Sequence, residues 1–140
     1  RFAFVEHLVA TRVQRILDPF GFTQPQLNVL TPLSRWPQGA PPLTVTALAD
    51  AVNVTQPAAT KMLTKFDMLG FVTFIPSDQD KRVKRVRITP DGAQSAQAMQ
   101  LALADDIRHW FAEWPPIDIA NFTQLLQRLG KTLDQHPPPH

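Results

Sequence analysis

The chain has no cysteine in its 140 residues. Disulfides, thiolate metal sites and thiol redox switches are therefore excluded. No apolar run approaches the length of a membrane span, so no membrane association is expected, and no signal-peptide pattern opens the sequence. There is no glycine-rich phosphate loop, no serine or cysteine nucleophile motif and no convincing metal-ligand set, so no enzyme and no cofactor are expected. The nearest approach to a metal site is Asp105 and His109, one helical turn apart, with Glu6 and His7 on another segment. It lacks a third well-spaced ligand. These absences together fit the cytoplasm. The chain opens on Arg1 rather than methionine, so a few residues are expected to precede it.

What is present suits a single packed subunit. The 44% apolar content and 15.7 kDa mass allow one substantial core over residues 1–140. Net charge is only +2, but it is unevenly placed. Residues 55–90 hold seven basic against three acidic side chains, whereas residues 91–140 hold three against six. A positive field confined to one segment is what phosphate binding requires.

That segment organises the rest. Thr55 is a good N-cap and Pro57 sits in a first turn, where a missing N–H does little harm. Ala59, Met62, Leu63, Phe66 and Leu69 recur at helical spacing, and Gly70 is placed to end the helix in the left-handed conformation. Gln56, Thr60, Lys61 and Thr64 are left for a second, polar face. Upstream, Leu43–Val54 predicts a partner helix capped by Thr44, with Val45, Leu48, Ala49 and Val52 as its apolar stripe and Asn53 in the turn. Downstream, Phe71–Ile75 and Arg82–Ile88 predict a β-hairpin around a polar turn at Pro76–Asp80. Thr89 and Pro90 then open a new helix. The expected fold is mainly α with a small β-hairpin wing: a winged helix-turn-helix, whose second helix fits a DNA major groove.

The same residues resemble the MarR (multiple antibiotic resistance regulator) family. The similarity lies in Thr44 to Ala49, in Thr55-Gln56-Pro57-Ala58, in Phe66 to Val72, in the wing residues Asp78 to Arg82, and in the helix start Thr89 to Gly92. Phe66 stands where that family usually has leucine. The resemblance implies a homodimeric transcriptional regulator of double-stranded DNA. It further implies a repressor on a palindromic operator, released by a small aromatic or anionic effector.

On this reading residues 23–92 form the DNA-binding core, residues 2–18 and 91–134 form dimerisation helices, and residues 135–140 are a loose tail. The first helix, Phe2–Asp18, places Phe4, Val5, Leu8, Val9, Val13, Ile16 and Leu17 on one side. Thr23 and Gln26 predict a capping box for the second, which ends near Arg35 before the rigid loop Trp36–Pro42. A long helix over Asp91–Ala112 carries Met99, Leu101, Leu103, Ile107, Trp110 and Phe111, and Trp114-Pro115-Pro116 stops it. Asp118 is the expected cap of the last helix, where Phe122, Leu125, Leu126, Leu129 and Leu133 repeat. The apolar sides of these flanking helices exceed the needs of a lone winged helix.

Gln56 is the best base reader, because its amide can pair with adenine through two hydrogen bonds. Thr60, Pro57 and Ala58 suit thymine methyls or sugar, and Lys61 and Thr55 suit phosphate. In the wing, Arg82 is assigned to the minor groove or its rim, with Asp80 orienting it, and Lys81, Lys84 and Arg85 to phosphate. Arg12, Arg15, Phe20, Phe22 and Trp36 are candidates for an effector pocket but serve equally well as core and surface. The competing reading is a winged-helix module that binds protein rather than DNA.

Overall fold

The computed structural model describes residues 1–76, 83–136 and 138. The chain divides into two compact units, Arg1–Leu103 and Ala104–His140.

In the first unit α1 spans Phe2–Leu17 and gives way to a 3-10 turn at Asp18–Phe20, closed by Gly21 at φ 71°. Helix α2 covers Gln24–Arg35. Its start is the expected capping box: Thr23 accepts from the Gln26 N–H while the Gln26 side chain accepts from the Thr23 N–H. Strand β1 (Leu43–Thr44) leads into α3 (Val45–Ala51), and α4 follows at Gln56–Met68. Strands β2 (Val72–Pro76) and β3 (Lys84–Ile88) precede α5 (Pro90–Trp110), which begins in the first unit and ends in the second.

The three strands make one antiparallel sheet in the order β1-β3-β2. Val72 faces Ile88 and Phe74 faces Val86 across β2 and β3, while Leu43 faces Val86 from the other side. This third strand was absent from the sequence reading. Leu43 and Thr44 are too short a run to show a strand period, and the pairing is set by β3. The partner helix is correspondingly shorter than expected, ending at Ala51 rather than Val54. Asn53 takes φ 57° in the turn that follows.

The core of this unit gathers Leu17, Leu30, Leu33, Leu48, Leu63, Phe66, Val72, Val86 and Met99. It draws on α1, α2, α3, α4, β2, β3 and α5, but not all of the predicted apolar positions are buried: Leu69 and Leu101 are exposed. Helix α1 contributes only Val13 and Leu17. Phe2 and Phe4, at 70% and 66% exposure, stay outside the core with Val5 and Leu8.

In the second unit the end of α5 and helix α6 (Pro116–Gln135) are joined by residues 111–115. Phe111, Trp114 and Phe122 form an aromatic triad, with Phe111 and Trp114 edge to face at 4.9 Å. The Trp110 indole N–H donates to Asp106 Oδ2 at 2.7 Å. Two boundaries differ from the sequence reading. Helix α5 ends at Trp110 rather than Ala112. Helix α6 opens on Pro116 with Pro115 as its N-cap, so Asp118 lies in the first turn instead of capping it. A proline that stops one helix also suits the first position of the next, because no intrahelical N–H is needed there. No residue of α6 is buried, including Leu125, Leu129 and Leu133. Gln135 is its last helical residue; of the expected tail, Pro137, Pro139 and His140 lie outside the described residues.

Candidate nucleic-acid interface

Helix α4 is built for two faces. The Thr55 hydroxyl accepts from the Ala58 N–H at 3.2 Å, and Gly70 takes φ 77° just past the C-terminus. Ala59, Leu63 and Phe66 are fully buried, with Met62 partly so. Gln56, Pro57, Lys61 and Thr64 are exposed, and Ala58 and Thr60 are half-buried beside them. The buried side is anchored by Phe22, whose ring stacks on Phe66 at 5.4 Å and 8° and meets Phe71 at 5.9 Å. Phe22, 2% exposed, is thus core rather than a pocket wall. Lys65, though exposed, lies along the protein surface: its ammonium is 5.8 Å over the Phe22 ring and near the Gly21 carbonyl.

Helix α3 positions α4 from the other side. Thr44 caps α3 by accepting from the Ala47 N–H at 3.0 Å, and Val45, Leu48 and Ala49 are buried. The Val54 N–H returns to the Ala49 carbonyl at 3.0 Å, which closes the tight turn. The result is a helix-turn-helix with an outward polar face on its second helix.

On the sheet side, Lys84 and Arg85 were expected to face phosphate. Instead, β3 grips the loop after α2. Arg85 Nη1 donates to the Pro42 carbonyl at 2.7 Å, and Arg87 donates to the Gln38 and Ala40 carbonyls at 2.9 and 3.2 Å. The Trp36 indole N–H closes the loop on the Pro41 carbonyl at 2.8 Å. Arg85 was assigned to phosphate from the sequence; here its guanidinium is half-buried and bonded to the main chain. The overlooked signal was the loop itself. Four prolines among residues 37–42 and 32 leave carbonyls without the N–H partners a regular helix or strand would offer.

Lys84 is different: it is exposed at the start of β3. It lines a cleft of about 260 Å³ with Thr44, Val45, Thr46, Gln56, Thr60 and Val83. Here the structure brings together two residues of the recognition helix and one of the wing, all three named from the sequence. Thr44 was named as a helix cap and not as a site residue, and Thr46 was not named as a site residue. The Thr44 cap puts Thr46 in the first turn of α3 beside it. Asp80, Lys81 and Arg82 lie outside the described residues.

Residues 22–84 match the family model described as MarR family. The matched span runs from Phe22 through α2, α3 and α4 to Lys84, the first residue of β3. Solved structures extend the likeness over nearly the whole chain. Staphylococcus aureus MepR in complex with DNA aligns with a TM-score of 0.79 at 19% identity, covering 94% of this chain and 95% of that one. AbsC, a MarR-family transcriptional regulator from Streptomyces coelicolor, gives 0.79 at 18%, covering 96% and 90%. Apo wild-type MarR from E. coli gives 0.69 at 23%, covering 92% and 96%. At these identities the agreement establishes the fold. No curated protein matches the chain by sequence.

The remaining candidates are dispersed over the MarR-type framework. Arg12, Arg15, Phe20 and Trp36 are exposed to different extents. Trp36 borders a cavity of about 330 Å³ with Leu33, Gln38, Arg87, Ile88 and Pro90. His109 Nδ1 lies 2.8 Å from the Asp105 main-chain oxygen, so this ring nitrogen already faces the helix backbone. Among the described residues no group of three histidine or acidic side chains is placed to hold a metal ion. Likewise, no helix among them is long and apolar enough to cross a membrane.

Proposed function

We propose that the chain is a sequence-specific regulator of transcription that binds double-stranded DNA through α4 and the wing. The observation that carries this is the cleft shared by Gln56, Thr60 and Lys84. It sets a bidentate hydrogen-bonding amide beside a free-standing cation on one concave face, which is the combination needed to read a base edge while holding a phosphate. Thr55, Pro57, Ala58 and Lys61 border the same face, and Asp80, Lys81 and Arg82 extend the assignment along the wing. Binding of DNA by the structurally similar MepR supports the reading.

The acting species is a homodimer that represses from a palindromic operator. Apolar side chains of α1 and α6, among them Phe2, Phe4, Leu125 and Leu133, are too exposed for an isolated subunit, and a second copy would cover them. Two recognition helices on one face of a duplex require half-sites about one helical turn apart. A small aromatic or anionic effector releases the DNA. The cavity beside Trp36 and Arg87 offers apolar walls for such a ligand, next to a guanidinium that the Gln38 and Ala40 carbonyls hold in place.

The deciding experiment is selection of random duplexes by purified protein at about 0.15 M salt, where non-specific binding is weak. Arg82→Ala is run beside the wild type. Enrichment of an inverted repeat with half-sites about one turn apart, weakened by Arg82→Ala, is the expected result. A folded protein that enriches no sequence would sink the proposal in favour of a protein-binding winged helix.

A further inference from the structure

The end of the recognition helix is fastened to the start of α5 by the side chain and the main-chain N–H of one residue. The Thr89 hydroxyl donates to the Gly70 carbonyl at 2.6 Å and accepts from the Gly92 N–H at 3.1 Å. The Thr89 N–H donates to the Phe71 carbonyl at 2.9 Å, and the Phe71 N–H returns to the Phe66 carbonyl in α4 at 2.8 Å. Two main chains are in direct contact here, because a Cβ on Gly92 would collide with the Phe71 carbonyl. A single hydroxyl therefore uses both its donor and its acceptor capacity to join the last residues after α4 to the first turn of α5.

We propose that Thr89 is a positioning residue for DNA reading: its hydroxyl fixes the direction of α4 relative to α5, and so the separation of the two recognition helices in the dimer. The proposal rests on the dimeric DNA-binding reading above. Gln56, the proposed base reader, stands at the far end of α4 from the latch. A helix of this length is about 20 Å long, so a tilt of about 5° at the latch moves Gln56 by about 2 Å. Such a shift leaves each recognition helix intact and able to enter a groove, but takes the pair out of step with two half-sites on one duplex. A cap that merely stabilised α5 would need only the bond from the Gly92 N–H. The bond to Gly70 reaches a different element.

The test compares full-length wild type, Thr89→Val and Thr89→Ser on three kinds of duplex: the selected inverted repeat, the same repeat with its spacing altered by one base pair, and a single half-site. Valine keeps the branched shape and removes the hydroxyl, whereas serine keeps the hydroxyl. Thr89→Val is expected to bind the repeat about tenfold more weakly and to lose its preference for the native spacing. Its affinity for the single half-site should stay within about twofold of wild type. Thr89→Ser should restore both the affinity and the spacing preference. If Thr89→Val does not fold by circular dichroism, Thr89→Ala is read in the same way. Unchanged spacing preference in the folded variant overturns the proposal alone, as does an equal loss on repeat and half-site, which would mark damage to the helix itself. A wild type with no preference for the repeat over the half-site overturns the dimeric reading, and the proposal with it.

Discussion

Arg85 Nη1 and the Pro42 carbonyl oxygen meet at 2.7 Å, binding the second residue of β3 to the residue just before β1. The contact separates neighbouring cations by task. Arg85 is half-buried against backbone, while Lys84 is exposed over the cleft beside Gln56. Arg85→Ala should lower unfolding free energy by about 1–2 kcal/mol, because a charge-assisted bond to a part-buried carbonyl is lost. Lys84→Ala should leave stability within about 0.5 kcal/mol and reduce the salt dependence of DNA binding by about one unit of slope. Urea denaturation and binding titrations at several salt concentrations check the pair. A fully stable Arg85→Ala protein with a reduced salt slope would return Arg85 to the phosphate set.

Gln56 and Lys61 should separate in the same way, but within binding. Gln56→Ala is expected to cost about 1–3 kcal/mol on the selected operator and to relax preference at one A·T pair. Lys61→Ala should weaken all duplexes by similar factors. Competition binding against single-base operator variants reads both. Uniform weakening by Gln56→Ala would show that this amide holds backbone rather than a base.

The Phe22–Phe66 stack makes a prediction about stability alone. Phe66 is fully buried and Phe22 nearly so, and Phe22 also touches Phe71. Phe66→Ala should destabilise by about 3–5 kcal/mol. The double substitution with Phe22→Ala should cost less than the two single costs together, since each ring loses the other as a partner. Thermal or urea unfolding of the four proteins completes the cycle, and strict additivity would contradict a direct energetic link between the rings.

Exposure of the α6 side chains predicts a concentration-dependent midpoint. If a second copy covers Leu125, Leu129 and Leu133, thermal stability should rise with protein concentration. Leu125→Glu with Leu129→Glu should then give a monomer by sedimentation velocity. A wild-type chain that sediments as a monomer at micromolar concentration and melts independently of concentration would refute the dimer.

Periodicity and caps made most of the winged helix-turn-helix legible in advance. Thr23, Thr44, Thr55 and Thr89 all receive the N–H expected of them, and Gly70 and Asn53 take the positive φ their positions demanded. These are local signals, fixed by residues three or four apart. What escaped was non-local. The β1 pairing needed knowledge of where β3 lies, and the use of Arg85 depended on carbonyls more than forty residues away. The apolar sides of α1 and α6 were recognised as apolar, but composition says only that a partner is wanted, not which surface supplies it. For the site, Gln56, Thr60 and Lys84 could be named from motif and charge. Thr46 could not, because nothing in its own neighbourhood distinguishes it from any exposed helix residue.

The sheet also carries a consequence in how it ends. Its outer strands are β1, two residues long and preceded by Pro41 and Pro42, and β2, which finishes on Pro76. Each proline removes an N–H from a row that another chain would have to copy, and two residues are too few to seed a ladder. The hairpin therefore has little capacity to recruit a fourth strand from a neighbouring molecule. Crowding many copies along one stretch of DNA should leave their wings as separate fingers rather than stitching them into a continuous β-sheet.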